Sequence, residues 1–435
     1  MTANEKQVPP PGSQPSESTS RSIWSDVSFY ALTLTQFLGA FNDNLFKQVL
    51  LLLFIAVPTT SGTTDFQWLA TSCFSIPFVL FSGFAGFLAD RFSKRHVIIL
   101  SKVAEIVVMS AACLLFMRYA RTGLTPVMVV MLTANIFLMG TQSAFFGPGK
   151  YGSLPELFDE HQLPQANGVI IMTTFMAIIL GTAVAGVMKE SVQRELLTVG
   201  YAAVGIAVAG TVASLFIRRL PPANRELKFH RGSLFVPKEI WDLFRKQREL
   251  LSAILVTTVF WLTAALVLQT LNGFGKSDLK LGDRNTSLLV SLISVGIAIG
   301  SVIGGLASKG RFNTRLLKTG LWGMVAGLFL MACCGRLLGF YGSAVLLVIL
   351  GAFCGMFAVP MQAFIQDRPP DELKGRTVAT QNLFNWIGIV LSSGVYMMVQ
   401  PALAANGLPY AVMFAVGGAF MAAVGLVYHP RDVEL

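Results

Sequence analysis

Cysteine, histidine and charge are scarce in this 435-residue sequence, and each scarcity excludes a class of protein. The five cysteines lie in apolar segments without CxxC or metal-ligand spacing, which excludes a disulfide framework and a zinc site. None of the four histidines begins the His-x4-Asp motif with which a membrane acyltransferase activates a hydroxyl. Charged residues make up only 13% of the chain, too few for a soluble protein of this length. We therefore expect neither an enzyme nor a bound cofactor or metal.

Apolar residues are abundant, and their distribution predicts an all-α polytopic membrane protein. Hydrophobic residues make up 54% of the chain, and they form runs of about 20 residues, the length that spans a bilayer as a helix. Twelve such transmembrane helices are predicted, six before a polar interval and six after it. They lie near 27–56, 66–89, 96–117, 125–147, 168–188, 197–217, 250–274, 286–308, 315–336, 341–363, 377–400 and 407–428.

The distribution of polar sequence predicts four parts. Residues 1–22, rich in Pro, Ser, Gln and Thr, are expected to be a disordered cytoplasmic tail. Residues 23–217 and 250–435 are the two six-helix halves. Residues 218–249 form a linker with nine Lys or Arg residues, which the positive-inside rule places in the cytoplasm together with both termini. Within it, Pro237 to Leu250 predicts an amphipathic helix on the membrane surface.

The net charge of +10 follows from this topology. In a soluble protein it would suggest nucleic acid as a partner, but here the basic residues concentrate in the predicted cytoplasmic loops. No nucleic-acid partner is therefore expected, and we predict that the chain is a multi-pass protein located in the cytoplasmic membrane.

The first predicted helix contains ionisable residues near its middle. A charged side chain there costs from about 2.5 to well over 10 kcal/mol if it faces lipid, so Asp43 must face protein or water. Lys47 lies four residues on, on the same helix face, with Asn44 and Gln48 beside the two. Two interpretations remain open: Asp43 and Lys47 form a local ion pair, or they mark a substrate or ion path. In the third helix, Lys102 and Glu105 share a face and are expected to pair.

An internal repeat divides the helices in the same way. The segment Gly86 to Arg91 after the second helix corresponds to Gly304 to Lys309 after the eighth, and Pro148 corresponds to Pro360. Both offsets are close to half the chain. This predicts two duplicated halves with a polar site between them near the midplane.

The segment Gly86-x-x-x-Asp90-Arg91-x-x-Lys94-Arg95 resembles the loop 2/3 signature of the major facilitator superfamily, although Ser93 stands where a glycine is usual. In that superfamily the loop latches the cytoplasmic ends of the two halves. The resemblance therefore implies a gating latch of Gly86, Asp90, Arg91 and Arg95. The alternative is that these are ordinary interfacial charges.

Three further segments resemble the bacterial lysophospholipid transporter family within that superfamily. They are Gln36-Phe-Leu-Gly-Ala-Phe-Asn-Asp-Asn44, Gly147-Pro-Gly-Lys-Tyr-Gly-Ser-Leu-Pro-Glu-Leu157 and Val359-Pro-Met-Gln-Ala-Phe-Ile-Gln-Asp-Arg368. The resemblance implies a flippase that moves lysophospholipid, chiefly lysophosphatidylethanolamine, from the outer to the inner leaflet of the bacterial inner membrane by alternating access. It also implies a functional link to a separate acyltransferase and acyl-carrier-protein synthetase. We expect a monomer surrounded by membrane lipids.

The resemblance also implies which residues bind the substrate. Asp43 matches the family's acid in the first helix, and Lys150 matches its lysine at the cytoplasmic end of the fourth. Leu268 or Gln269 stands where some members carry an arginine. The glycines around Pro148 predict a broken end of the fourth helix.

A lysolipid has a phosphate, often an amine, and one acyl chain, so its site needs a cation, sometimes an anion, and an apolar flank. Polar residues of the predicted helices supply such groups, although each neutral one is equally suited to hydrogen bonding between helices. The candidate substrate-binding or coupling residues are Asp43, Asn44, Lys47, Lys150, Gln269, Gln362, Gln381 and Asn382.

Two alternatives to lysolipid transport remain. A proton-coupled exporter of drugs or small amphiphiles is the nearest, because Asp43 is suited to carry a proton, although the fifth helix lacks the Gly-Pro pair of the antiporter signature between Gly181 and Gly186. A transport-inactive scaffold or sensor is the other. Substrate movement by the purified protein would exclude it.

Overall fold

A computed structural model describes residues 23–60, 62–159, 162–192, 196–222, 226, 236–308, 311–429 and 433–434. The predicted tail, residues 1–22, lies outside the described residues. So do residues 223–225 and 227–235 of the predicted linker.

The described chain is almost entirely helical. Its helices are α1 (Val27–Phe54), α2 (Gln67–Arg91), α3 (Lys94–Thr122), α4 (Pro126–Leu157), α5 (Leu163–Val192), α6 (Leu197–Leu215), α7 (Lys238–Lys246), α8 (Arg248–Gly273), α9 (Asp283–Ser308), α10 (Thr314–Asp367), α11 (Asp371–Ala405) and α12 (Val412–Val427). A short π-helical segment, Phe274–Asp278, extends α8. Two small antiparallel pairs complete the fold: β1 (Val57–Thr59) with β2 (Gly62–Thr64), and β3 (Arg311–Phe312) with β4 (Val433–Glu434).

The prediction of twelve membrane-crossing helices is confirmed. Ten helices of the described residues are long and apolar enough to cross a membrane. One of them, α10, is two helices joined at Gly339, whose φ of 61° lies in the left-handed region that glycine adopts readily. The shorter apolar helix α12 adds one more, so nine single helices, the two arms of α10 and α12 make twelve.

Local sequence fixes several helix starts. The Asp26 carboxylate accepts the backbone N–H of Ser28 at 2.7 Å at the start of α1. The side chains of Thr125 and Asn313 cap α4 and α10 in the same way. Such caps satisfy backbone donors that have no partner inside the helix.

The fourth helix differs from its prediction. It does not break at Gly147 but continues through Pro148 and Pro155 to Leu157. A membrane helix tolerates proline because neighbouring groups satisfy the carbonyls that proline leaves free. The amphipathic helix α7 is present, with Ile240, Leu243 and Phe244 buried, but it is shorter than predicted.

Each set of membrane helices has its own apolar core. One cluster of buried side chains belongs to α1–α6, and the largest belongs to α7–α12. In the second set, α9 and the second arm of α10 meet through glycines: a methyl group added at Gly300 would overlap the carbonyl oxygen of Ala352, and one at Gly351 that of Ile293. These two backbones are therefore in direct contact, as small residues permit in membrane helices.

The two sets meet through α5 with α9 and through α2 with α11. We call the end of the bundle where α1 begins and α12 ends the terminal end, and the opposite one the far end. Between described residues, the hydrogen bonds, ion pairs and ring contacts that join helices α1–α6 to helices α8–α12 lie between the far end and the middle of the helices. These contacts therefore hold the bundle together from the far end to the middle, and none of them lies at the terminal end among the described residues.

Candidate functional site

The carboxylate of Asp43 faces α4. It accepts hydrogen bonds from Ser143 Oγ at 2.5 Å and from Gln142 Nε2 at 3.4 Å. No ion pair within 4 Å joins it to Lys47, although both residues are described. The sequence left open a local pair between these neighbours, and the structure instead gives Asp43 two neutral partners on another helix.

The ammonium of Lys47 lies over the ring of Phe74 on α2, 5.0 Å from its centroid. Such a cation–π contact is worth most where water is excluded. Phe74 belongs to an aromatic group that crosses between the helix sets, because Phe78 of α2 stacks on Trp386 of α11 with centroids 3.8 Å apart. Lys47 is therefore positioned close to the contact between the two sets.

Asn44 and Gln48, which follow Asp43 and Lys47 in the sequence, have different roles. Asn44 Nδ2 donates to the carbonyl of Ala40 in its own helix at 2.8 Å. Gln48 Nε2 donates to Asn272 Oδ1 at 2.8 Å and to Ser287 Oγ at 3.1 Å, so it bridges α1 to α8 and α9.

A fully buried ion pair lies behind Asp43. Lys102 and Glu105 of α3 pair as predicted, and each side chain is only 1% exposed. Asn42 Nδ2 donates to Glu105 Oε1 at 2.9 Å, which ties the pair to α1. Gly210 of α6 leaves room for the lysine, because a methyl group there would lie 2.8 Å from Lys102 Cε. Removal of either partner would leave the other charge buried without a counter-ion, which is strongly destabilising.

Lys150 is buried on α4, and its Nζ lies 4.3 Å from the centroid of the Tyr151 ring. It forms no ion pair with a described carboxylate. Seven residues separate it from Ser143, a rise of about 10 Å along a helix. The structure therefore places Lys150 closer to the terminal end than Asp43, and the two do not form one contact site.

The candidate residues of the second set are amides. Gln269 Nε2 donates to Ser392 Oγ at 3.3 Å, and its buried Oε1 has no hydrogen-bond partner among the described residues. Gln381 Nε2 donates to Gln362 Oε1 at 2.9 Å, which joins α11 to α10. Asn382 is exposed. Gln362 and Gln381 are thus brought together, while Gln269 is paired elsewhere.

The predicted latch residues do not reach the second set in this conformation. Space beside Gly86 is open, and Asp90 is exposed. The guanidinium of Arg91 lies over Phe87 of its own helix, and Arg95 donates to the carbonyl of Leu215 in α6. The latch stays a prediction.

Sequence reasoning missed a group at the far end. Asp65, in the loop between α1 and α2, is buried and accepts hydrogen bonds from the hydroxyls of Tyr396 at 2.8 Å and Tyr410 at 3.0 Å. Burial raises the pKa of this carboxyl, against the opposing effect of these bonds and those from Gln67. An acid in a short loop carries no sequence signal for such partners, which lie more than 300 positions away.

A second missed group joins α5 to α9 at the far end. Asp283 Oδ2 lies 2.7 Å from Lys189 Nζ, and its Oδ1 lies 2.8 Å from Lys276 Nζ. Glu190 Oε2 accepts the backbone N–H of Arg284 at 2.8 Å. We call Lys189, Lys276 and Asp283 the far clasp. The described residues contain no group of three or more His, Cys, Asp or Glu side chains suited to a metal ion.

Residues 32–393 match the family model of the Major Facilitator Superfamily. Among curated relatives, the lysophospholipid transporter LplT of Enterobacter sp. (strain 638) is 29% identical over 416 residues, covering 92% of this chain and 96% of the relative. The protein of the same name from Shigella sonnei (strain Ss046) is 27% identical over 424 residues, with the same coverage.

Solved structures agree with the fold. The nucleoside transporter NupG is similar with a TM-score of 0.68 at 15% identity, covering 92% of this chain and 98% of its own. A bacterial homologue of the lysosomal transporter Spinster, solved in an inward-facing and unoccupied conformation, gives a TM-score of 0.63 at 13% identity and covers 92% and 93%.

Proposed function

The chain belongs to the Major Facilitator Superfamily, and on that premise we propose that it moves lysophospholipid, of the lysophosphatidylethanolamine type, from the outer to the inner leaflet of a bacterial inner membrane. The observation that carries the proposal is the similarity to lysophospholipid transporters along 92% of the chain. The charged groups of helices α1–α4 support it, because a lysolipid headgroup carries a phosphate and often an amine.

Specific residues fit these chemical groups. Lys150 and Lys47 are cations without a carboxylate partner within ion-pair distance among the described residues, so both are available to a phosphate. Among the described residues, the hydrogen-bond partners of the Asp43 carboxylate are neutral, so it is available to an ammonium. The phenylalanines of α2 and Trp386 supply apolar surface beside these groups for an acyl chain.

Alternating access is the mechanism that we propose. The far end is held by polar contacts between the halves, and among the described residues no such contact holds the terminal end. The positive-inside rule assigns the terminal end to the cytoplasm, with both termini inside. The conformation is then inward-facing, and the Asp90 latch would form only in the outward-facing state. We further propose that the protein acts as a monomer and delivers its product to a separate acyltransferase with its acyl-carrier-protein synthetase.

The test is reconstitution of the purified protein into liposomes with labelled lysolipids in the outer leaflet. Albumin extracts the lysolipid that remains outside, so the fraction resistant to extraction measures inward movement. We expect movement of lysophosphatidylethanolamine and none of a monoacylglycerol, which lacks the phosphate. Protein-free liposomes and the Asp43→Asn variant are the controls. Absence of movement for every lysolipid would contradict the proposal.

The exporter alternative is supported by one observation, the lack of a charged partner within 4 Å of Asp43 in the described part of the chain, since a carboxylate without a counter-ion is suited to exchange a proton. Efflux of a cationic dye that depends on an imposed proton gradient, with no lysolipid movement, would favour it.

A further inference from the structure

The far clasp holds two ammonium groups on one carboxylate. Lys189 Nζ lies 2.7 Å and Lys276 Nζ 2.8 Å from the oxygens of Asp283. Glu190, the other nearby acid, is engaged by the backbone N–H of Arg284. Two cations therefore converge on the Asp283 carboxylate, and the Glu190 carboxylate adds a second negative charge beside them, so a singly charged phosphate diester that replaces Asp283 keeps the cluster balanced.

The two ion pairs differ in what they join. Lys189 is on α5, so its pair with Asp283 connects the two halves. Lys276 is in the segment between α8 and α9, so its pair stays within the second half. Loss of the first pair would remove one of the contacts that hold the halves together, whereas loss of the second would only remove a cation from the cluster.

A cavity of about 330 Å³ lies beside the clasp and is lined by Lys189, Glu190, Lys276, Gly282 and Asp283. Its size is at the lower end of the range for small-molecule sites. The side chains are reachable, since Lys276 is 31% exposed, while Lys189 and Asp283 are 14% and 13% exposed. An anionic group of headgroup size therefore has space and two cations.

We propose that the far clasp is a receiving site for the phosphate of the substrate. The phosphate replaces the Asp283 carboxylate between Lys189 and Lys276, and this exchange releases α5 from α9 so that the far end opens. Phosphate competes well because it offers several oxygens for charge-assisted hydrogen bonds. The displaced carboxylate lies in the first turn of α9, where the helix dipole favours negative charge. This inference rests on the proposed function and on the far end facing outward.

A specificity follows. The two lysines bind the phosphate and the cavity holds the glycerol esterified to it, while the headgroup beyond the phosphate stays unbound, so glycerophosphoethanolamine and glycerophosphoglycerol should open the far end equally. Glycerol, which has no phosphate, should not.

The experiment measures opening of the far end with a cysteine at Ser291. This side chain is buried in α9 and donates to the carbonyl of Ile179 in α5 at 3.2 Å, so it becomes reachable only when these helices part. Ser291→Cys is placed in a chain whose five native cysteines are replaced and which still transports. An impermeant maleimide is added from the far side in proteoliposomes, with and without glycerophosphoethanolamine.

We expect glycerophosphoethanolamine to raise the labelling rate several-fold and Lys276→Gln to abolish that response. Lys189→Gln should raise labelling without any probe, because one bond between α5 and α9 is lost. Lys280→Gln is the matched control, since Lys280 is an exposed lysine of the same segment with no ion pair in the described chain, and it should respond like the parent.

Unchanged labelling in a transport-active protein would overturn the clasp proposal alone, as would an equal response in Lys276→Gln. An equal response to inorganic phosphate at the same concentration would assign the site to a free anion and overturn the lipid assignment. If lysolipids are not transported but glycerophosphoethanolamine still opens the far end, the proposed function fails and the phosphate site stands.

Discussion

The two halves of the molecule bury different kinds of polar group. The first half buries charges: Lys94, Lys102, Glu105, Lys150 and, in its first far-end loop, Asp65. In the second half, among the side chains that the structure describes in 236–308 and 311–429, the buried polar ones are all amides and hydroxyls, such as Gln269 and Asn272. A buried charge without a partner lowers the stability of the fold strongly, whereas a buried amide changes the stability only modestly through its hydrogen bonds. The deeply buried charges therefore belong to the first half, while charges of the second half, such as Lys276 and Asp283 of the far clasp, lie partly exposed at the far end.

The substitution with the largest expected effect tests whether transport requires the charged residues of the first half. Asp43→Asn should reduce lysolipid movement to the level of protein-free liposomes, while membrane abundance stays normal, because the partners Ser143 and Gln142 can still bond an amide. Lys47→Gln added to it should not restore transport, because the two residues are not paired in the structure. Wild-type movement by the double variant would show that both are scaffolding.

Removal of one partner of the buried ion pair should destabilise the first half strongly. Lys102→Met leaves the Glu105 carboxylate buried without its cation, at a cost of about 3–5 kcal/mol in the free energy of unfolding. The double variant with Glu105→Leu should recover most of that loss. Unfolding of the purified protein in detergent measures both. A mild loss in the single variant would remove the contrast between the halves.

Lys150 tests whether charge or packing matters near the terminal end. Lys150→Ala should lower the initial transport rate by about tenfold, the equivalent of one charge-assisted hydrogen bond of ~1.5 kcal/mol. Lys150→Arg should keep much of the rate because it keeps the charge. Equal losses in the two variants, measured in the same liposomes, would indicate a packing role.

Far-end closure should depend on pH through Asp65, where a carboxyl of the first half accepts hydrogen bonds from hydroxyls of the second half. Burial raises its pKa, so the closed far end binds this proton more tightly than an open, solvated one. Closure is therefore favoured below the ordinary aspartate pKa of 3.8 and loses this contribution as the pH rises through the raised value. Spin labels at Thr63→Cys and Asn406→Cys should report more open distances with rising pH. Asp65→Asn should abolish that dependence, and a dependence that persists would assign it to another group.

The smallest effect is expected in the second half. Gln269→Leu removes the bond to Ser392, and interhelical hydrogen bonds in membranes average about 0.6 kcal/mol. The buried Gln269 oxygen already lacks a partner, which reduces the loss further. Detergent unfolding should detect little change. A loss of unfolding free energy as large as that of Lys102→Met would contradict the difference between the buried charges of the first half and the buried amides of the second.

The sequence predicted the helices well because lipid leaves the backbone few alternatives. Without water, each segment must satisfy its own hydrogen bonds, so an apolar run of sufficient length becomes a helix. The pairing of Lys102 with Glu105 was predictable for a related reason, since a helix face fixes neighbours three residues apart.

Contacts between distant segments were not predictable in this way. The sequence drew attention to Asp43 but not to its partner Ser143, one hundred positions later. Asp65 and the far clasp were missed because their partners belong to the other half, and no local pattern records which end of the bundle is closed. The continuation of α4 past Pro148 depends likewise on its neighbours.

The glycine contact between α9 and the second arm of α10 has a consequence for movement within the second half. Because the two backbones touch at Gly300 and Gly351, we expect the two helices to move together as one rigid body. Asp283 is at one end of this rigid body, and α9 extends about 39 Å from it at ~1.5 Å per residue. We therefore expect a displacement of α9 at the far clasp to move the opposite end of the same helix pair.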